Sequence, residues 1–291
     1  MLTLGLNRKE DKLYYAIVDS GRKVVAKGEV DGKHGEVVSN VCEDCRINPS
    51  QIKAAAVHTD EQLDFTDIPL HRLDRRAAEV HSLWVSDLNH HHPPATQKYP
   101  QLIWYDDSYL DTSDIVLVKS PSKHKTMLSH NEYSIRELTS KIEEELKISD
   151  FFYASRQGDQ FFLPVNVAKA GELDMRFLLD EIKDARVRYD ENVDSDLEEN
   201  LRRELLQFWK YDIAASLQEA IFSIIIDSLT LLAQELGVRT IGVVSELVYN
   251  ERFLNLIANR AKDYGMDLRV PLVHHTQDIA ASLAGLAYFY L

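Results

Sequence analysis

Two stretches of the chain carry residue types capable of chemistry without help from elsewhere. Cys42 and Cys45, its two cysteines, form a C-E-D-C. A redox couple needs a reactive, partly exposed thiolate, and a zinc site needs four ligands, of which this motif offers two. The acids between the cysteines hold a thiol protonated, so the pair reads as the solvated end of a helix with two small semi-apolar side chains. His90-His91-His92-Pro93-Pro94 falls in an expected loop between a helix and a strand. Clustered histidines bind transition metals adventitiously, and a surface loop of that kind explains them. Asp106 and Asp107 point to opposite faces if their strand continues, so they would not share a site. No G-x-S-x-G, P-loop or H-E-x-x-H occurs, and nothing suggests a catalytic Ser, His and Asp order.

The elements that must position any site are clearest from Asp212 to Gly285. Ile213, Leu217, Ala220, Ile221, Ile224, Leu229, Leu232 and Leu236 recur at helical spacing, and Gly237 is placed to cap the helix. Thr240–Ser245 reads as a buried strand, Asn250 opens a second helix to about Tyr264, and Leu268–Pro271 is a short strand stopped by proline. Asp278 begins a last helix, D-I-A-A-S-L-A-G-L-A-Y-F-Y. Alternation of this kind predicts a right-handed α/β unit on a parallel sheet.

Upstream, Leu2–Leu6, Leu13–Val18 and Lys23–Val30 have strand composition and are separated by polar turns. A helix from about His34 to Cys45 follows, then a break at Asn48-Pro49-Ser50 and a strand at Ile52–Val57. Three antiparallel strands, a helix and a returning parallel strand is the ribonuclease H-like pattern. It recurs in Leu102–Tyr105, Asp114–Val118, Lys125–Leu128 and a helix from Tyr133 to Leu146, completed by the Asp212–Gly285 unit. The expected fold is therefore α/β, with two ribonuclease H-like lobes, residues 1–98 and 99–291, flanking a cleft. Residues 149–211 fit neither repeat and read as an insertion. Its acidic part, Tyr189–Asn200, reads as a solvated loop leading into a helix, with Asp194 or Ser195 as N-cap.

At 291 residues the chain can build two cores, and 45% hydrophobic with 27% charged residues is the composition of a soluble globular protein. No apolar run approaches the ~20 residues of a membrane span, and the N-terminus lacks a signal-type pattern. A cytoplasmic address and no membrane partner are expected. The formal net charge of −14 repels phosphate backbones. A protein partner or a homo-oligomer is therefore expected, and direct nucleic-acid binding is not.

The D-I-A-A-S-L-Q-E-A opening at Asp212, the V-V-S strand end with Asn250 soon after, and the H-T-Q-D-I-A-A-S-L-A-G ending occur in the order seen in one family. They resemble the C-terminal lobe of the tRNA threonylcarbamoyladenosine transferases, relatives of the hydrogenase-maturation and antibiotic carbamoyltransferases within the actin-like ATPase superfamily. His34-Gly35 stands where that family has a histidine-glycine pair. Pro93-Pro94 and Tyr99-Pro100 echo its loop before the second lobe. Gly171-Glu-Leu-Asp-Met-Arg-Phe-Leu-Leu is similar to its G-L-D-F-S-F-S-G-L stretch with the serines gone.

The resemblance implies phosphates held by tight turns in each lobe, where glycine or a small hydroxyl residue lets backbone N–H groups approach. At the first turn, Asn7–Lys12, the family's threonine and serine are replaced by Arg8 and Lys9. These are candidate phosphate contacts, opposed by Glu10 and Asp11 beside them. At the second, S-G-G-H-T is replaced by Asp107-Ser-Tyr-Leu-Asp111, leaving Ser108. At the third, after Ser245, a double glycine that packs on the adenine and ribose is replaced by Glu246 and Leu247; Ser245 and Asn250 remain. No Gly-Gly pair occurs in the chain. The family's metal ligands, an H-x-x-x-H on a helix start and a later aspartate, correspond to His71, Arg75 and Asp278. Arginine cannot ligate; His81, His274 or His275 are the residues available to complete an altered site. Lone acids such as Asp19 are further candidates to face the cleft.

Core-forming elements persist while phosphate turns and a metal ligand change together. The expectation is a catalytically degenerate homologue that acts as a scaffold or partner subunit in tRNA modification, with no cofactor. Leu283–Leu291 and Phe151-Phe-Tyr153 are candidate contact surfaces, or ordinary core. The alternative is an ATP-dependent carbamoyl or phosphoryl transferase in which Arg8, Lys9 or Arg75 replaces lost contacts, using ATP and a divalent metal. A small-molecule binder with a repurposed cleft is the third reading.

Overall fold

A computed structural model describes residues 1–9, 12–21, 23–30, 36–59, 63, 68–73, 78, 81, 102–106, 113–120, 123–130, 134–158, 177–192, 199–270 and 279–291. The first sheet contains β1 (Leu2–Lys9), β2 (Lys12–Asp19), β3 (Lys23–Val30), β4 (Ile52–His58) and β5 (Leu70–Leu73), in the order β3-β2-β1-β4-β5. β1 pairs antiparallel with β2 and parallel with β4, and β5 continues parallel from β4. This is the strand order expected of a ribonuclease H-like lobe.

Alternation along the strands sends two kinds of side chain to the two faces. Leu4, Leu6, Tyr15, Ile17, Ala55 and Val57 bury against Val37, Val41 and Cys42 of α1 (Val37–Cys45). The opposite face is built from small residues, among them Ala16, Ala54 and Ala56. It is covered by Ala280, Ala281, Leu283, Ala284, Leu286 and Ala287 of the C-terminal helix. Gly5, paired with Ala16 and Ala56, lets that helix come close, since a Cβ on Gly5 would lie 1.8 Å from the Ala280 carbonyl oxygen. Thr3 Oγ1 donates to the Ala284 carbonyl at 2.6 Å, tying strand to helix.

The second sheet follows the same plan. β6 (Leu102–Asp106), β7 (Ser113–Ser120), β8 (Lys123–His130), β9 (Thr240–Val244) and β10 (Asp267–Arg269) have the order β10-β9-β6-β7-β8. β6 takes the place of β1, and β9 runs parallel to it with Ile103 opposite Ile241. The helices are α2 (Ile135–Leu146), α3 (Phe151–Ser155), α4 (Phe177–Asn192), α5 (Glu199–Glu235), α6 (Glu251–Asp263) and α7 (Ile279–Ala287). The segment read as an insertion thus supplies α3, α4 and the start of α5. Asp194 and Ser195, the expected N-caps, lie outside the described residues.

From Trp209 onward α5 is mostly buried, with Ile213, Leu217, Phe222, Ile225 and Leu229 in the core, while Glu219 and Asp227 on a narrow polar face pair with Arg252 and Arg260. Contrary to the sequence expectation, Trp209–Glu235 is long and apolar enough to cross a membrane, but 72% of its apolar window is buried against the protein. Gly237 ends the helix as expected, at φ +66°, with its N–H on Gln234.

The chain forms two compact units, one of residues 1–101, 118–124 and 269–291 and the other of residues 102–117 and 125–268. The division at residue 98 differs from this chiefly at the C-terminus. α7 was expected to finish the second lobe, but its alanine face matches the small-residue face of the first sheet and packs there.

Candidate functional site

The loop that follows β9 is where the sequence places its most concrete site residues, and the structure describes it completely. Ser245 and Asn250 flank a single 3-10 turn, Glu246–Tyr249. Ser245 Oγ accepts the Leu247 N–H at 3.0 Å, the Ser245 carbonyl accepts the Val248 N–H at 3.3 Å, and the Leu247 carbonyl accepts the Asn250 N–H at 2.9 Å. Asn250 Oδ1 caps α6 by accepting the N–H groups of Arg252 and Phe253 at 3.0 and 3.2 Å. Its Nδ2 donates to Gln218 Oε1 at 3.3 Å, and the same oxygen accepts Ser155 Oγ–H at 2.7 Å. One buried amide on α5 therefore ties down α3 and the start of α6.

This loop turns its polar groups on itself. The N–H groups of Leu247, Val248 and Asn250 are committed to Ser245 and Leu247, and both flanking side chains are engaged as caps. Leu247 and Val248 are buried within the unit, at 2% and 7% exposure. Glu246, expected to fill the position of a glycine, is exposed instead, so the bulk inside the loop comes from Leu247 and Val248. Next to this network Glu219 holds Arg252 through Nε at 2.8 Å and Nη2 at 3.0 Å, which raises the arginine further above its ordinary value.

At the β1–β2 hairpin, Asn7, Arg8 and Lys9 belong to the ladder, opposite Tyr14, Leu13 and Lys12. Four of the six residues read as a turn thus belong to the ladder, and residues 10 and 11 lie outside the described residues. Lys12 Nζ pairs with Glu29 across to β3 at 2.8 Å. Asp19 ends β2 and binds the α-amine of Met1, whose hydrogen bond holds the Asp19 carboxyl below the usual carboxylate range.

The metal reading changes register. His71 was placed on a helix start, but it lies inside β5, opposite Ala56, because Leu70–Leu73 extends the parallel ladder. Its ring stacks on Tyr290 at 5.2 Å, and its Nε2 is buried without a hydrogen-bond partner among the described residues. His81 is fully buried beside Gly21, its Nε2 3.0 Å from the Gly21 carbonyl oxygen, with Phe289 edge-on. Among the described residues no group of three potential ligands converges. Ser108, Arg75, Asp278, His274, His275, Asp107 and the His90–His92 run lie outside the described residues, as do His34-Gly35 and residues 171–176 of the Gly171 stretch, whose last three residues open α4.

The C-E-D-C pair sits on the last turn of α1. Cys42 is buried, which pushes its thiol up, while Cys45 donates to Tyr15 Oη at 3.3 Å and Tyr15 donates to Asp44 at 2.6 Å. Of the two expected contact surfaces, Leu283–Ala287 and Phe151 are core, while Tyr153 and Leu291 are 64% and 55% exposed. Gln218 was not singled out from the sequence. The signal was a lone amide within the apolar spacing of α5, next to Leu217 and Ile221.

Two ribonuclease H-like sheets in one chain are the architecture of the actin-like ATPase superfamily, and the fold class read from the sequence stands. No family model matches the chain. Over 85 residues it is 35% identical to a tRNA N6-adenosine threonylcarbamoyltransferase of Chloroherpeton thalassium, covering 29% of this chain and 24% of that protein. A protein of the same description from Thermotoga neapolitana is 34% identical over 77 residues, 26% of this chain and 24% of its own length. The matched stretch thus spans about a quarter of these curated relatives. Among solved structures, the activator of the 2-hydroxyisocaproyl-CoA dehydratase from Clostridium difficile aligns over 99% of this chain and 94% of its own, with 13% identity and a TM-score of 0.44. The ROK hexokinase from Thermus thermophilus aligns over 99% and 98%, with 14% identity and a TM-score of 0.45.

Proposed function

We propose that this protein is a catalytically degenerate relative of the threonylcarbamoyl transferases, a cytoplasmic scaffold or partner subunit that acts by association in tRNA modification. The observation that carries the proposal is the loop after β9. Ser245 and Asn250 spend their polar atoms on the loop and on α6, and Leu247 and Val248 fill its interior. A phosphate or a purine approaching this backbone would have to displace hydrogen bonds already made, each worth about 1 kcal/mol net. The absence of any Gly-Gly pair from the sequence points the same way. The segment match to tRNA N6-adenosine threonylcarbamoyltransferases supports the pathway, and the net charge of −14 favours a protein partner over RNA.

Two measurements test this. Equilibrium binding of labelled ATP with Mg²⁺ is expected to show no saturable uptake; saturation at micromolar concentration would overturn the scaffold reading in favour of an active transferase with altered ligands. Co-purification from the native host is expected to recover an intact threonylcarbamoyltransferase homologue.

A further inference from the structure

We draw no further inference here: the strongest candidate, the side-chain cluster of Cys42, Asp44 and Cys45 at the end of α1 with Tyr15 of β2, has Cys42 buried with its thiol pushed up and the Cys45 and Tyr15 protons spent inside the cluster, so it carries packing alone.

Discussion

Asn250 shows how far a side chain's role can be settled by where its atoms are spent. Its oxygen satisfies the first N–H groups of α6, and its amide nitrogen reaches Gln218. Asn250→Ala should therefore cost about 1–2 kcal/mol in urea denaturation, the usual range for a lost cap. Asn250→Asp keeps the acceptor at a helix N-terminus and should recover most of that loss. A ligand-binding asparagine would behave differently, with stability near wild type and a changed nucleotide affinity. Asp19 gives a second residue-level test. Its carboxyl is lowered from 3.8 chiefly by its hydrogen bond to the Met1 amine. The ion pair thus contributes fully above that ordinary value, and its contribution disappears as pH falls through the lower folded value. Both partners are more than a third exposed, so the contribution should stay below about 1 kcal/mol and shrink with salt. Asp19→Asn should flatten this part of the acid stability curve; an unchanged acid limb would remove Asp19 from it.

At the scale of elements, the contact between β1 and α7 is the tightest that the glycines report. A Cβ on Gly5 would meet the Ala280 carbonyl oxygen at 1.8 Å and the Ala284 nitrogen at 2.5 Å, both backbone atoms that no rotamer change can move. Gly5→Ala should lower stability by about 3 kcal/mol, the upper part of the range for overpacking. A loss below 1 kcal/mol would mean that α7 rides on the sheet less closely. This contact also marks where the sequence stops being informative. Strand alternation in Leu2–Leu6 and helical spacing after Asp212 announced the elements, and the recurrence of the strand-and-helix set announced two sheets. None of these signals says which sheet a small, nearly all-apolar helix will cover. I-A-A-S-L-A-G-L-A has no polar face to orient it, and its nearest strand in sequence is β10 of the other sheet. The partner was set by the row of Gly5, Ala16 and Ala56, a match of shape between distant segments. His71 was misplaced for a related reason, since a four-residue strand such as β5 is defined by its ladder with β4 more than by its own composition. At the candidate site, Ser245 and Asn250 were legible as types, but only the folded loop shows that the inward bulk comes from Leu247 and Val248.

For the whole molecule, the consequence of α7 packing on the first sheet is that the two compact units should be separable by a cut at the C-terminus. Residues 269–291 belong to the first unit, although the chain reaches them only after completing the second. Deleting residues 279–291 would expose Ala16, Val18, Ala54 and Ala56 and remove two buried leucines and four buried alanines. At about 2–3 kcal/mol per leucine and about 0.8 per methyl group, the loss is on the order of 8 kcal/mol. That is comparable with the roughly 5–15 kcal/mol that holds a domain folded. The second unit keeps its own core around α5, with Phe222 edge-on to Phe253 of α6 at 5.1 Å and Trp209 buried. In hydrogen exchange the truncated protein should lose protection in β1, β2 and β4 while α5, α6 and β9 keep theirs. Simultaneous loss of protection in both sets would show that the units fold as one. Retention in both would show that the alanine face of α7 contributes far less than its burial implies.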